Sequence, residues 1–254
     1  MQIPDWLERT ELLIGRDNID RLNQANILVV GLGGVGAYAA EMICRAGAGT
    51  MTIVDGDKVH ATNRNRQLIA LSSLEGQSKA EIMGKRLLDI NPDLHLTVIG
   101  EYIRDARMIE ILDQTFDYVV DAIDTLAPKV FLIYHSRQKG HRVVSSMGSG
   151  GKMDPEQIRI ADISESYNCK LASILRKRLH HLGIYTGVKV VYSPETVSKD
   201  MVVMVDSEAN KKTTVGTISY MPAVFGCYMA SVVIREIIGS IIRIKQNQNL
   251  PPSV

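Results

Sequence analysis

The chain has 254 residues, enough for one large α/β domain or two small ones, and its ordinary globular composition argues against a largely disordered protein. A formal net charge of +1 gives no electrostatic reason to expect nucleic acid binding over the whole surface, although it leaves room for a local basic patch. Three distant cysteines, Cys44, Cys169 and Cys227, exclude a four-cysteine zinc site and argue against a disulfide framework. The first residues lack the apolar core of a signal peptide, so we expect a cytoplasmic protein.

Two short amphipathic helices are predicted before the first strand, at about residues 6–15 and 17–23. The first would anchor itself on the rest of the fold through four apolar side chains: Trp6, Leu7, Leu13 and Ile14.

A glycine-rich turn follows the first predicted strand, a β-branched run at 27–30 that is typical of a strand buried on both faces. Four glycines lie between this strand and the first turn of a predicted helix at 34–47: Gly31, Gly33, Gly34 and Gly36. Residues without Cβ let a pyrophosphate approach the backbone, and the free N–H groups of the helix point at the anion. A second strand at 52–54 ends at Asp55, where a ribose-binding carboxylate belongs. The stretch predicts a nucleotide site.

The loop after Asp55 indicates which nucleotide to expect. The glycines alone fit the dinucleotide fingerprint and would suggest NAD. The segment 62–66 adds two arginines and two asparagines directly beyond the ribose position. A triphosphate carries more negative charge than one pyrophosphate, and attack on its α-phosphorus needs neutralisation of the entering and leaving groups. We therefore expect ATP, with a non-catalytic or redox-sensing NAD module as the alternative.

Ser78 and Glu81 have capping-box spacing, which predicts a helix that begins there and ends near residue 91. Lys79 would lie in its first turn, where an ammonium beside the positive end of the helix dipole costs a little stability. A bound phosphate would offset that cost. An ordinary surface lysine is the alternative, and the glycine turn favours the functional interpretation.

Further strands are predicted at 94–99 and 116–120, with a short helix at 105–112 between them. The second strand leads into Asp121 and Asp124, at the carboxyl edge where ligand groups of a parallel sheet gather. We interpret Asp121 as a loop or helix-capping acid. A helix cap is also the alternative for Asp124, but we expect it to hold Mg²⁺ on the nucleotide phosphates.

A helix at 128–139, a strand at 142–146 and a glycine loop at 148–151 complete the first half of the chain. The glycine loop allows close approach of a ligand or of another backbone, and both remain open. Five alternations of strand and helix predict a doubly wound, Rossmann-like α/β fold with a mainly parallel sheet and right-handed crossovers. The nucleotide-binding half then covers residues 1–150, and 151–246 forms a smaller extension on the substrate side.

The pattern changes in this second half. Strands are predicted at 158–163 and 188–192, with a weaker one at 201–205 in a segment, 193–212, that we interpret as a mobile loop over the site. An amphipathic helix is predicted at 170–182. Its polar face is basic: Lys170, Arg176, Lys177, Arg178, His180 and His181. A solvated face is the common explanation of such a run, and contact with a phosphate backbone is the alternative.

The segment 213–234 contains no charged residue and is long enough to cross a bilayer. Its Thr, Ser, Gly and Pro content favours a buried loop or strand and then a core helix from about Pro222, with a membrane span as the less favoured alternative. The last residues, 247–254, are predicted to be a disordered tail.

The chain resembles the E1-like activating-enzyme superfamily, which includes ThiF, MoeB and the ubiquitin-activating enzymes. Four motifs carry the resemblance: GLGGVG at 31–36, VDGDKVHATNRNRQ at 54–67, the helix start at Lys79, and DAID at 121–124. The resemblance implies a single ATP-binding domain over residues 1–246. It also implies residue roles: Asp55 on the ribose, Asn63 and Arg66 on the phosphates, Lys79 at the helix start, Asp124 beside Mg²⁺, and Arg9 reaching the ATP of the partner subunit in a homodimer.

Within this superfamily the chain is similar to the tRNA threonylcarbamoyladenosine dehydratase branch over nearly its whole length, including LASILRKRL at 171–179 and MPAVFGCYMASVVIREIIG at 221–239. The absence of paired zinc-ligand cysteines fits that branch. Asn168-Cys169 departs from the Asp-Pro usual there, so the resemblance assigns Cys169 no catalytic role.

The branch resemblance implies ATP-dependent dehydration of N6-threonylcarbamoyladenosine (t6A) in tRNA to cyclic t6A through an acyl-adenylate. Catalysis would involve four residues: Arg66, Lys79, Asp124 and Arg9. The implied partners are tRNA and a second copy of the chain, and a sulfur-transfer protein is left open. The alternative is an adenylyltransferase that activates the C-terminus of a sulfur-carrier or ubiquitin-like protein.

Overall fold

The computed structural model describes residues 3–208 and 211–239, so the predicted tail at 247–254 and the preceding 240–246 lie outside the described residues. The helices are α1 (Glu8–Ile14), α2 (Arg16–Gln24), α3 (Gly36–Arg45), α4 (Lys79–Ile90), α5 (Asp105–Leu112), α6 (Leu126–Gln138), α7 (Lys170–His181) and α8 (Tyr220–Ile238). The strands are β1 (Asn26–Val30), β2 (Thr50–Val54), β3 (His95–Ile99), β4 (Tyr118–Asp121), β5 (Arg142–Ser146), β6 (Arg159–Asp162), β7 (Lys189–Tyr192), β8 (Val202–Glu208) and β9 (Lys211–Val215).

Seven strands form one sheet in the order β3-β2-β1-β4-β5-β7-β6. Every neighbouring pair is parallel except β6 and β7, which are antiparallel. This is the doubly wound, mainly parallel sheet predicted from the alternation of strands and helices. The strand order reverses between β1 and β4, so the carboxyl ends of these two strands open the crevice where such sheets bind ligands.

Buried apolar layers cover both faces of the sheet, because alternate residues of each strand point to opposite faces. From β1, Ile27 and Val29 join one layer with α3, α4 and α8. Leu28 and Val30 join the other layer with α5, α6 and α7. Burial on both sides explains why β1 is a continuous apolar run instead of an alternating one.

Helix α8 is long and apolar enough to cross a membrane by length and composition, and half of its apolar window is buried inside the fold. It packs along α3, where a Cβ on Gly226 would lie 2.5 Å from the carbonyl oxygen of Val35. Phe225 is fully buried in the same contact layer. The helix expected from about Pro222 is therefore a core helix that begins at Tyr220, with the proline in its first turn.

Two predictions about individual segments are wrong. Of the expected anchors near the amino terminus, Leu7 is buried, but Trp6 is 41% exposed and Leu13 is 82% exposed. Apolar periodicity indicates that a helix has an apolar face without telling whether the same chain covers it. The weaker strand predicted at 201–205 is confirmed as β8, which pairs antiparallel with β9 in a separate two-stranded sheet, so the interpretation of 193–212 as a loop throughout is wrong.

Candidate nucleotide site

The glycine turn, residues 31–36, connects β1 to α3 at the carboxyl edge of the sheet. Gly31 has φ of 91°, and a Cβ there would lie 2.8 Å from the carbonyl oxygen of Ala122. A Cβ on Gly36 would lie 1.7 Å from the carbonyl oxygen of Gly31. Both positions therefore require glycine, and the turn packs directly against the segment that follows β4.

Asp55 follows β2 and is half-buried beside the glycine turn. Its Oδ2 accepts a hydrogen bond from the Leu32 N–H at 2.6 Å, and its Oδ1 accepts one from the Asp57 N–H at 2.8 Å. Burial raises the pKa of Asp55, although the two amides and the charge of Lys79 oppose the shift. An ionised carboxylate has about four acceptor sites, so capacity remains for the hydroxyl groups of a ribose.

The loop that carries Arg66 lies against the glycine turn, since a Cβ on Gly34 would be 3.4 Å from the Arg66 carbonyl oxygen. The Arg66 guanidinium donates hydrogen bonds to the Thr62 carbonyl oxygen at 2.9 Å and to Asn65 Oδ1 at 2.8 Å. These bonds hold the loop in shape and keep a cation at the edge of the crevice.

Two buried amides belong to the same loop. Asn63 Oδ1 accepts a hydrogen bond from the His60 N–H at 3.1 Å, which fixes the start of the loop. Gln67 Nε2 lies 3.7 Å from the position of a Cβ on Gly33, and Gln67 Oε1 has no hydrogen-bond partner within the part of the chain that the structure describes. A buried acceptor without a donor is costly, so a donor from an ordered water or from a ligand would stabilise the loop here. Sequence reasoning missed Gln67, because nothing in a polar loop signals burial.

Lys79 begins α4 and is only 3% exposed, which is rare for a lysine. Its Nζ lies 2.5 Å from Asp57 Oδ2. Ser78 Oγ accepts a hydrogen bond from the Glu81 N–H at 3.4 Å, so the predicted helix start is confirmed. Although burial opposes it, the hydrogen bond and charge of Lys79 lower the pKa of Asp57. The cation at the helix start is thus held by a carboxylate that sequence reasoning did not assign to the site.

Asp121 is not the loop or capping acid expected, because it is the last residue of β4 and is fully buried. Its Oδ2 lies 2.7 Å from Lys129 Nζ and accepts a hydrogen bond from Ser145 Oγ at 2.6 Å. Lys129 Nζ also donates to the Ser146 carbonyl oxygen at 3.0 Å. Asp121 Oδ1 accepts a hydrogen bond from the Ile123 N–H at 3.1 Å, so this buried pair fixes the loop after β4.

Asp124 is exposed on that loop, two residues beyond Ala122, which touches the glycine turn. Burial raises the pKa of the nearby Tyr102 hydroxyl, and three carboxylates raise it further: Asp57, Asp55 and Asp124. Within residues 3–208 and 211–239, no three His, Cys, Asp or Glu side chains form a metal-binding group. Mg²⁺ needs only one or two carboxylates when phosphates supply its other ligands, so Asp124 fits such an ion.

Arg9 does not join the other site residues within one chain. It is exposed on α1, next to Leu7, and a Cβ on Gly47 would lie 3.1 Å from Leu7 Cδ1. Gly47 follows the carboxyl end of α3, whereas the glycine turn precedes its amino end, and ten helical residues span about 15 Å. The start of α1 therefore lies near the opposite end of α3 from the turn.

The basic face predicted on α7 is only partly exposed. Arg176 turns inward, and its guanidinium donates to the carbonyl oxygens of Ile163 at 3.0 Å and Ser166 at 2.8 Å. Lys177 and Arg178 are exposed. Arg176 therefore stabilises the segment before α7, and its neighbours form a smaller basic surface than the sequence indicates.

The arrangement as a whole fits a nucleoside phosphate. Backbone N–H groups at the start of α3 and the cations Arg66 and Lys79 suit phosphate oxygens, while Asp55 suits ribose hydroxyls. The turn leaves no room for a Cβ at two positions, and the side chain of Gln67, whose Oε1 has no partner among the described residues, lies against it through its Nε2. These features derive from four separate parts of the chain that the strand order brings to one edge of the sheet.

Comparison with known proteins agrees with this geometry. The chain matches the model of the ThiF family over residues 7–252. It is 34% identical over 240 residues to the tRNA threonylcarbamoyladenosine dehydratase of Bacillus subtilis (strain 168), which covers 92% of this chain and 94% of the relative. It is 30% identical over 116 residues to the sulfur carrier protein ThiS adenylyltransferase of Escherichia coli (strain K12), 46% of each chain.

A solved structure extends the likeness to the fold. The E. coli tRNA N6-threonylcarbamoyladenosine dehydratase, TcdA, in complex with ATP superposes with a TM-score of 0.83 at 33% identity, covering 94% of this chain and 97% of that one. The chain therefore belongs to the ThiF family of E1-like proteins, and it is similar to the tRNA threonylcarbamoyladenosine dehydratases of that family.

Proposed function

We propose that the protein uses ATP to activate a carboxylate and thereby dehydrates t6A in tRNA to cyclic t6A. The observation that carries the proposal is the crevice in which the glycine turn, the Asp57–Lys79 pair and the loop of Asp124 meet. The tRNA substrate rests on the likeness, over nearly the whole chain, to relatives named for this reaction. The ATP bound to the E. coli relative supports ATP over NAD.

The chemistry follows from the charges. The threonyl carboxylate of t6A attacks the α-phosphorus of ATP, and pyrophosphate leaves with the electron pair of the broken P–O bond. The carboxyl carbon of the acyl-adenylate is then electrophilic, and the carbamoyl group of the same nucleoside closes onto it and expels AMP. The net result is loss of one water. Closure within one molecule has a high effective molarity, so no covalent enzyme intermediate is needed.

In this proposal Asp55 binds the ribose, and four glycines of the turn admit the phosphates: Gly31, Gly33, Gly34 and Gly36. Asn63 and Arg66 serve the phosphates, and Arg66 and Lys79 stabilise the charge on them. Asp124 would hold Mg²⁺. Mg²⁺ would polarise the phosphate oxygens and stabilise the leaving pyrophosphate. In this proposal Arg66 and Lys79 face charge that grows on the phosphates in the transition state, which is where stabilisation accelerates the reaction.

A homodimer belongs to the same proposal, with Arg9 serving the partner subunit's ATP. Leu12 and Leu13 of α1 are each 82% exposed, and adjacent exposed leucines on one helix are typical of a face that another copy covers. The tRNA would find part of its binding surface on Lys177 and Arg178 of α7. A cytoplasmic location suits a tRNA substrate, and a sulfur-transfer protein is a further partner that the resemblance leaves open.

The direct test incubates the protein with ATP, Mg²⁺ and tRNA that contains t6A, and then measures the mass of the modified nucleoside. A decrease by one water is expected. Lys79→Ala and Asp124→Ala should abolish pyrophosphate release, whereas Lys85→Ala, an exposed lysine on the same helix, should not. Unchanged nucleoside mass would refute the dehydratase, and wild-type rates in both variants would remove Lys79 and Asp124 from the site.

A second candidate is an adenylyltransferase that activates the C-terminus of a sulfur-carrier protein, and the partial likeness to the ThiS adenylyltransferase favours it. It would use the same ATP residues, so the nucleotide crevice does not discriminate. Exchange of labelled pyrophosphate into ATP discriminates between the two candidates. If the exchange requires a carrier protein and not tRNA, it supports the adenylyltransferase. Calorimetry with ATP–Mg²⁺ and with NAD separates both enzymes from an NAD module.

A further inference from the structure

Asp57 is a carboxylate beside the start of α4, where the helix dipole and Lys79 should attract anions. Its backbone and side chain both contact the start of α4: the Lys79 N–H donates to the Asp57 carbonyl oxygen at 3.0 Å, and Lys79 Nζ lies 2.5 Å from Asp57 Oδ2. The adjoining residues Lys58 and Ser78 form an antiparallel bridge. The two segments are therefore held in register by main-chain bonds, and the side-chain pair is built on a rigid support.

Because Lys79 is buried, its ammonium needs a counter-ion, and Asp57 can provide one. An ammonium that is 3% exposed is poorly solvated, and desolvation without a counter-ion favours the neutral amine. Asp57 supplies the opposite charge, while its N–H orients the Asp55 carboxylate. The other titratable groups around the pair are Asp55, His60, whose Nε2 lies 3.5 Å from Asp57 Oδ1, and Tyr102.

We propose that Asp57 is the positioning residue of Lys79: it compensates the charge of the buried ammonium and holds it in place at the start of α4 until phosphate oxygens arrive to share the charge. The inference rests on the proposed function, because it requires that Lys79 meets a nucleotide. It adds a second role to the acid pair after β2: Asp55 serves the ribose, and Asp57 serves the cation.

The test is the affinity for ATP, measured by calorimetry from about pH 7.5 to about pH 9.5, where an ordinary lysine stays charged. Wild-type affinity should change little across this range. In Asp57→Asn the buried Lys79 ammonium lacks its counter-ion, a situation in which burial disfavours the charged form. Affinity should therefore fall by about tenfold towards the alkaline end, the effect of one lost charge-assisted contact. Tyr102 keeps its proton because burial and the nearby carboxylates raise its pKa.

An arginine at position 79 provides the discriminating control, since a guanidinium stays charged at these pH values. Asp57→Asn combined with Lys79→Arg should bind ATP with no fall in affinity at alkaline pH. Asp113→Asn, which removes the carboxylate of the exposed pair with Lys139, should behave as wild type. Thermal melting at each pH checks that every variant is folded.

The outcomes separate the two proposals. A wild-type protein that binds no ATP at any pH refutes the proposed function. ATP binding by a folded Asp57→Asn protein with the pH dependence of wild type overturns the positioning role alone. Should Asp57→Asn not fold, Asp57→Glu keeps the charge but displaces it, so a loss of ATP affinity supports the role and wild-type affinity contradicts it.

Discussion

Replacing Lys129 by Met tests how much the buried ion pair behind the Asp124 loop contributes to stability. The side chains of Lys129 and Asp121 are both 0% exposed. Three acceptors surround Lys129 Nζ: Asp121 Oδ2 at 2.7 Å, Ser145 Oγ at 3.1 Å and the Ser146 carbonyl oxygen at 3.0 Å. Methionine occupies a similar volume but leaves a buried carboxylate without a counter-ion. Removing one partner of such a pair costs about 3–5 kcal/mol.

That cost is a large part of the roughly 5–15 kcal/mol that stabilises a typical domain. Urea unfolding followed by circular dichroism at neutral pH should give a free energy of unfolding lower by about 4 kcal/mol in Lys129→Met. Lys139→Met is the matched control, because Lys139 pairs with the exposed Asp113 and should cost less than about 1 kcal/mol.

A double variant sharpens the test. Asp121→Asn combined with Lys129→Met leaves no buried charge, so it should be more stable than Lys129→Met alone. The reasoning is refuted if Lys129→Met costs no more than the Lys139→Met control. It is also refuted if the double variant loses the sum of the two single losses, since the charges would then act independently.

Three further outcomes are expected. Gly36→Ala should lose ATP binding and melt at a lower temperature, because the new Cβ would lie 1.7 Å from the Gly31 carbonyl oxygen; wild-type melting would contradict this. Leu13→Glu should convert the proposed dimer to a monomer in light scattering without lowering the melting temperature of the monomer, and an unchanged mass would exclude α1 from the interface. Burial alone would raise the pKa of Glu41, but the hydrogen bond and charge of Arg86 lower it below its ordinary 4.5. The ionised Glu41 therefore stabilises the folded protein above that pH, and this stabilisation is lost as the pH falls through the folded pKa. Glu41→Gln should therefore be less stable than wild type at pH 7 and show a weaker dependence on acid, as measured by urea unfolding; parallel stability curves for the two proteins would contradict this.

Much of the fold and part of the site could be predicted from short stretches of sequence. The β-branched run of β1, the glycines behind it and the Ser78 cap of α4 each express a local preference of the backbone, which a few neighbouring residues specify. The positions of Asp55 and Lys79 beside the turn follow from these elements and their alternation. Such features need no knowledge of distant contacts.

Other features depend on partners far apart in the chain. Lys79 was visible as a cation at a helix start, but its partner Asp57 lies 22 residues away and was identified only from the folded geometry. From the sequence alone Asp121 is interpreted as a loop or capping acid, because the sequence does not show whether a carboxylate at a strand end is exposed or buried. The fold decides this by packing Lys129 against it. The exposure of Leu13 likewise depends on which surfaces the rest of the chain supplies. Backbone preferences act over a few residues, whereas burial and charge pairing are set by packing, so the elements could be predicted locally and their partners could not.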